Sequence, residues 1–169
     1  CMDEVFVEQI LKRRINISGI LLRMLSVLIV LIAVLSIMWL QMLGFTLTVL
    51  LAYAAYLVWS YTSVEYEYSF LNGELTIDKI LGQRKRKSVA SYDMKEAEMI
   101  APAMSESIVR VSMNAGVKDY TSGSKNGNIY AMIISNADGK TKVLFEPNEK
   151  VLEAMYHVKP NIVKKSETL

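Results

Sequence analysis

Residues 24–64 contain no Lys, Arg, Asp, Glu or His, a run of 41 positions bounded by Arg23 and Glu65. At a rise of ~1.5 Å per residue, a helix of that length would measure ~60 Å, twice the ~30 Å hydrocarbon core of a bilayer. The run therefore predicts two crossings, drawn as residues 24–43 and 45–61, with the turn near residues 41–44. Gly44 is the residue there that most readily takes a left-handed helix-stop conformation, and Gln41 is the most polar side chain nearby. Trp39 is expected at the far interface, and Trp59 with Tyr61 at the near one, where amphipathic rings rest at headgroup depth.

The charges lie on either side of this block. Lys12, Arg13, Arg14 and Arg23 precede it, and Arg84, Lys85, Arg86 and Lys87 follow it. Two spans return the chain to its starting side, and basic residues favour the cytoplasm, so an integral cell-membrane protein with both termini and the soluble part cytoplasmic is expected. A cleaved signal peptide fits poorly, because its apolar region is only ~7–15 residues long. Within the spans the polar candidates are Ser26, Ser36, Thr46 and Thr48, with Tyr53 and Tyr56 in the middle of the second. None ionises near neutral pH, which argues against a proton relay. Ala52, Ala54 and Ala55 offer a small-residue face for packing within the hairpin or between copies in a homo-oligomer.

The single cysteine, Cys1, excludes an intrachain disulfide and a cysteine-built zinc site. It is read as a residue ahead of a natural start at Met2, not as the acylated first residue of a lipoprotein. Lipidation would place the N-terminus and the basic residues at 12–14 outside the cell.

Residues 1–23 read as an amphipathic basic segment, with a short surface helix over residues 3–14 on which Val7, Ile10 and Leu11 cluster. The hairpin occupies residues 24–63, and a soluble domain that could fold alone occupies residues 64–160. In that domain the period changes to two: Val64, Tyr66, Tyr68 and Phe70 alternate with Glu65, Glu67 and Ser69, as in a half-buried strand. Asn72-Gly73 is a hairpin signal, since both residues accept the positive φ of a type I′ turn. The next strands are expected at 74–81, 84–91, 95–101, 107–113, 117–121, 129–135 and 141–146, with a flexible loop at 121–128. Asn148 can cap a closing helix that places Val151, Leu152 and Met155 on one face and stops before Pro160. Residues 161–169 read as a disordered tail.

The run Val64-Glu65-Tyr66-Glu67-Tyr68, the hairpin Asn72-Gly73-Glu74-Leu75-Thr76-Ile77 and the basic segment from Lys79 to Lys87 resemble bacterial membrane proteins with PH-like domains. Among these the chain resembles a small uncharacterised family with two N-terminal transmembrane helices. The resemblance implies the pleckstrin-homology superfold, a β-rich barrel of about seven antiparallel strands closed by a C-terminal helix, here following a membrane α-helical hairpin. It implies a fold and a place, and no reaction.

The best functional candidate is Arg84, Lys85, Arg86 and Lys87. Strand pairing about Asn72-Gly73 would bring this run back beside Val64, at headgroup level. Together with Arg13, Arg14 and Arg23, it is expected to contact anionic headgroups or a protein partner still to be identified, each cation contributing ~1 kcal/mol near an anionic leaflet. Nucleic acid is a poor fit, since Glu65, Glu67, Glu96 and Glu98 interrupt any extended basic face. Nothing amounts to an active site. His157 has neither Cys nor a second His beside it, the pairs Glu65/Glu67 and Glu96/Glu98 read as solvated strand faces, and the glycines of 122–127 lack a phosphate-loop spacing. No enzyme activity and no cofactor is expected. The role expected is a membrane-anchored binding or scaffolding module; the alternative is a small oligomeric channel or transport-accessory subunit built from the hairpins.

Overall fold

A computed structural model describes residues 6–165, so Cys1 and the last four residues of the expected tail lie outside the described residues. The chain divides into two compact units: Arg14–Val64 with Ile80–Lys85, and the remainder.

The first unit contains α1 (Ile17–Leu40) and α2 (Met42–Thr62), with mean hydropathies of 2.8 and 1.8 in their most apolar windows. Both are long and apolar enough to cross a membrane. They are apolar around nearly their whole circumference, and only Ser26, Ala33 and Gly44 are buried within the pair. An all-round apolar surface suits helices solvated by lipid. The turn differs from the one expected, because Gln41, at φ 45°, takes the left-handed position. Gly44 is instead the second residue after the start of α2, where an added Cβ would lie 2.8 Å from the Ile37 Cα. Its missing side chain allows the two backbones to meet. The Thr48 hydroxyl then donates across the pair to the Ala33 carbonyl at 3.0 Å.

The second unit is built from two four-stranded sheets. The first has the order β1 (Phe6–Lys12), β2 (Val64–Leu71), β3 (Glu74–Leu81), β4 (Lys85–Asp93). The second runs β5 (Ala97–Pro102), β7 (Tyr130–Asn136), β8 (Gly139–Phe145), β6 (Gly116–Asp119). The antiparallel hairpins and closing helix follow the expected order, but the described residues form eight strands in two sheets and not one barrel of about seven. In addition, β6 pairs parallel with β8.

The eighth strand is β1. Residues expected as a surface helix pair antiparallel with β2 from Phe6↔Leu71 to Lys12↔Glu65. Burial alternates strictly along β1, with Val7, Gln9 and Leu11 on the more covered side. The same apolar residues satisfy a short helical pattern, and a waiting strand edge decides between the two.

The opposite substitution occurs at residues 107–113, expected as a strand because Ile108, Val109 and Val111 are β-branched. They form α3 (Glu106–Val111). Ile108 is buried against Ala101, Ala131 and Ile133, and Val111 packs beside it one turn later. Glu106 in the first turn and Arg110 in the last complement the helix dipole.

Tyr68, Phe70, Leu75 and Ile77 of the first sheet, with Met132 and Phe145 of the second, are fully buried. Edge-to-face packing of Tyr68 on Phe145, centroids 6.2 Å apart, ties the sheets together. The closing helix α4 (Glu149–Val158) buries Val151, Leu152, Ala154 and Met155. Asn148 caps it by accepting from the Val151 N–H at 2.8 Å. Beyond Pro160 the chain is not a free tail: the Ile100 N–H donates to the Ile162 carbonyl, the Lys164 N–H donates back to the Ile100 carbonyl, and Val163 is buried. Val163 is the apolar anchor that a polar-looking tail concealed.

Candidate functional site

The turn between β3 and β4 carries the first of the expected cations. Gly82, at φ 57°, and Gln83, at φ 58°, make the reversal. The Gly82 N–H donates to the Ser63 carbonyl at 3.0 Å. A Cβ on Gly82 would fall 2.9 Å from the Ser60 carbonyl oxygen, so only glycine lets the turn lie on the last residues of α2. From there the Arg84 guanidinium reaches the face of Tyr56, 5.5 Å from the ring centroid. Among the described residues it makes no ion pair or side-chain hydrogen bond.

Arg23 meets the same end of α2 from α1. Its Nε donates to Thr62 Oγ1 at 2.7 Å, and one terminal nitrogen donates to Ser63 Oγ at 2.9 Å and the Trp59 carbonyl at 3.3 Å. The guanidinium also lies 5.1 Å from the Trp59 ring centroid. It therefore satisfies carbonyl and hydroxyl oxygens at a helix C-terminus, where positive charge is favoured.

The remaining cations hold different partners. Arg13 donates to the Tyr66 hydroxyl at 2.9 Å. Arg86 is bonded to the Glu67 carboxylate and lies 3.9 Å from that of Asp78. Glu67 is buried, so it does not belong to a solvated strand face. Arg14, Lys85 and Lys87 are exposed and make no ion pair among the described residues. Of the interface aromatics, Trp39 stands exposed in the last turn of α1, Trp59 lies under Arg23, and Tyr61 is exposed near the end of α2.

A buried polar network, missed by pattern reading, joins the two sheets. The Tyr68 hydroxyl donates to the Tyr120 carbonyl at 2.5 Å and accepts from the Glu146 N–H at 3.3 Å. Burial pushes the Tyr68 phenol well above its usual range, opposed by the backbone hydrogen bond from Glu146. Tyr92 is raised too, first by burial and then by its hydrogen bond with Tyr120. Ser122 Oγ donates to Glu146 Oε1 at 2.9 Å, and Gly127 sits so close to that carboxylate that a Cβ there would collide with it. The loop expected to be flexible is therefore stitched to the end of β8. Its Ser and Gly content signalled a loop, and nothing in that content marked Glu146 as its anchor.

The expected carboxylate pair at 96 and 98 does not form one strand face. Glu96 precedes β5, and Glu98 lies at a register shift between Ala97 and Met99. The Lys140 ammonium, 2.7 Å from Glu98, holds that carboxyl below its usual range, with Ser135 adding a hydrogen bond. His157 is exposed on α4, and among the described residues no three His, Cys, Asp or Glu side chains converge as metal ligands.

No curated protein and no solved structure matches the chain. Its two apolar N-terminal helices, paired sheets and closing helix carry the sequence pattern of one family along nearly the whole length. Matching the bacterial PH-like domain (DUF6106) over residues 3–165, the chain belongs to that family.

Proposed function

We propose that the protein is a membrane-anchored PH-like binding or scaffolding module that works at the cytoplasmic surface without a reaction of its own. The observation that carries this reading is the seat of the β3–β4 turn: Gly82 and Arg84 pack on the last turns of α2, within the same compact unit. Arg84 and Lys85 then lie where a spanning α2 would leave the bilayer, and Lys87 follows along an exposed edge strand. Each such cation is worth ~1 kcal/mol beside an anionic leaflet. The open edge of β4, exposed along most of its length, suits a partner strand in the manner of sheet-edge peptide recognition. That step rests on fold-level analogy.

The oligomeric channel has less support. The Thr46 and Thr48 hydroxyls donate to carbonyls of their own hairpin and do not form a polar lining. The test is amide exchange of the full chain in nanodiscs of phosphatidylcholine with and without phosphatidylglycerol. Exchange over residues 82–87 should slow with the anionic lipid and recover in high salt. Equal exchange in both discs would contradict a lipid-facing role for this segment.

A further inference from the structure

Between α1 and α2, on the flank beneath Arg84, runs an open groove of about 350 Å³, with Val27, Val30 and Leu31 on one wall and Ala52, Tyr56 and Trp59 on the other. Its walls are almost wholly apolar, and the small Ala52 and Ala55 leave the space that larger side chains would fill. Arg84 lies over Tyr56, which lines this groove, and Arg23 lies over Trp59, which lines it too. The two arginines differ in what their donors do. Arg23 gives its hydrogen bonds to Thr62, Ser63 and the Trp59 carbonyl, whereas among the described residues the Arg84 guanidinium has only the aromatic face. A guanidinium with its planar fork unfilled, above an apolar trough, matches a phosphate group followed by a hydrocarbon tail.

We propose that this groove holds one anionic phospholipid, its acyl chain along the trough and its phosphate on Arg84. The proposal rests on the reading of α1 and α2 as membrane spans. It goes beyond surface attraction of a basic strand, since it specifies one lipid per chain, held by two different forces. Apolar contact alone would not hold it, because lipid tails are as apolar as the groove and exchange freely against it. The selectivity must come from Arg84.

Native mass spectrometry of the full chain, released from detergent with phosphatidylglycerol or phosphatidylcholine as the probe, tests this. One phosphatidylglycerol per chain should survive activation that strips phosphatidylcholine. Arg84→Gln should cut that retention about five-fold, the weight of one arginine at an anionic headgroup. Arg84→Lys, which keeps the charge but not the fork, should fall between. Ala52→Leu should lower retention by filling the trough, with helical circular dichroism confirming that the hairpin persists. Equal retention of the two lipids, or no change in Arg84→Gln, would overturn the site. A lipid-free dimer of the unaltered chain would overturn it as well, by assigning the groove to a second copy. If no lipid is retained while residue 41 proves accessible only from outside the cell, the lipid site fails and the spanning hairpin stands.

Discussion

Arg86 binds the buried carboxylate of Glu67 from a strand two places away in the same sheet. Glu67 is almost fully covered, while more than half of the Arg86 side chain meets solvent, so the cation serves as a lid on a buried charge. The four consecutive cations 84–87 therefore cannot be exchanged alike. Arg86→Gln should destabilise the fold by ~1–3 kcal/mol by leaving a buried acceptor poorly satisfied, whereas Lys85→Gln should stay within ~0.5 kcal/mol. Thermal unfolding of the two variants, with Glu67→Gln added to Arg86→Gln to recover stability, measures the difference. A Glu67→Gln/Arg86→Gln double variant no more stable than Arg86→Gln alone would contradict it.

The strand β1 makes the sheet unit depend on residues that precede the hairpin. Besides its pairing with β2, Gln9 donates to the Glu146 carbonyl at 2.8 Å and accepts from the Asn148 N–H at 2.7 Å, joining β1 to the cap of α4. Residues 64–160 are expected from the sequence to fold alone, but with β1 part of the same unit a fragment of residues 64–165 should be poorly folded, with a bare β2 edge. A peptide of residues 6–13 added in trans should raise its melting temperature, increasingly with the logarithm of peptide concentration above Kd. A fragment equally stable with and without the peptide would mean that β1 is dispensable.

These two cases show how far the sequence is legible. The charge-free block, the Asn72-Gly73 turn and the Asn148 cap are local signals, and each appears where its residues place it. At Asn72 and Gly73 φ is 51° and 86°, as a type I′ turn requires. The largest failures are contacts across long stretches of chain. Whether residues 6–12 form helix or strand depends on the edge of β2, some sixty residues later, and Val163 looks like part of a polar tail until Ile100 is placed beside it. The same holds for the site. The basic run is plain in the sequence, but its division among Tyr56, Glu67 and solvent follows from pairing that no periodicity encodes.

Gly44 fixes the approach of the two helices at their turn. Gly44→Leu would drive a side chain into the Ile37 backbone, which cannot yield as a flexible side chain would. Amide exchange over residues 41–48 of the detergent-solubilised chain should rise, since the Thr48–Ala33 hydrogen bond depends on that approach. Unchanged protection would show that the pair tolerates separation there.

Tyr68 sets the alkaline limit. Its phenol is held neutral in the fold by burial, while in the unfolded chain it ionises near pH ~10. With the folded pKa raised, its contribution is complete below the unfolded value and is lost as pH rises above ~10, where the unfolded chain releases the proton first. Phenolate absorbance should report tyrosines that titrate late, Tyr68 and Tyr92 among them, and Tyr68→Phe should remove one of them. A Tyr68 that titrates with the exposed tyrosines while the sheets remain intact would contradict its buried placement.

The membrane hairpin is the central claim, and cysteine accessibility in intact cells tests it most directly. In a Cys1→Ser background, single cysteines at Gln41, Glu74 and Lys165 probe the helical turn, the β2–β3 hairpin and the segment after Val163. An impermeant thiol reagent should label only residue 41 in intact cells, and the other two only after the membrane is opened. Labelling of residues 74 and 165 from outside would reverse the orientation, and a chain that carbonate releases and that labels at none of the three sites in intact cells would contradict spanning altogether.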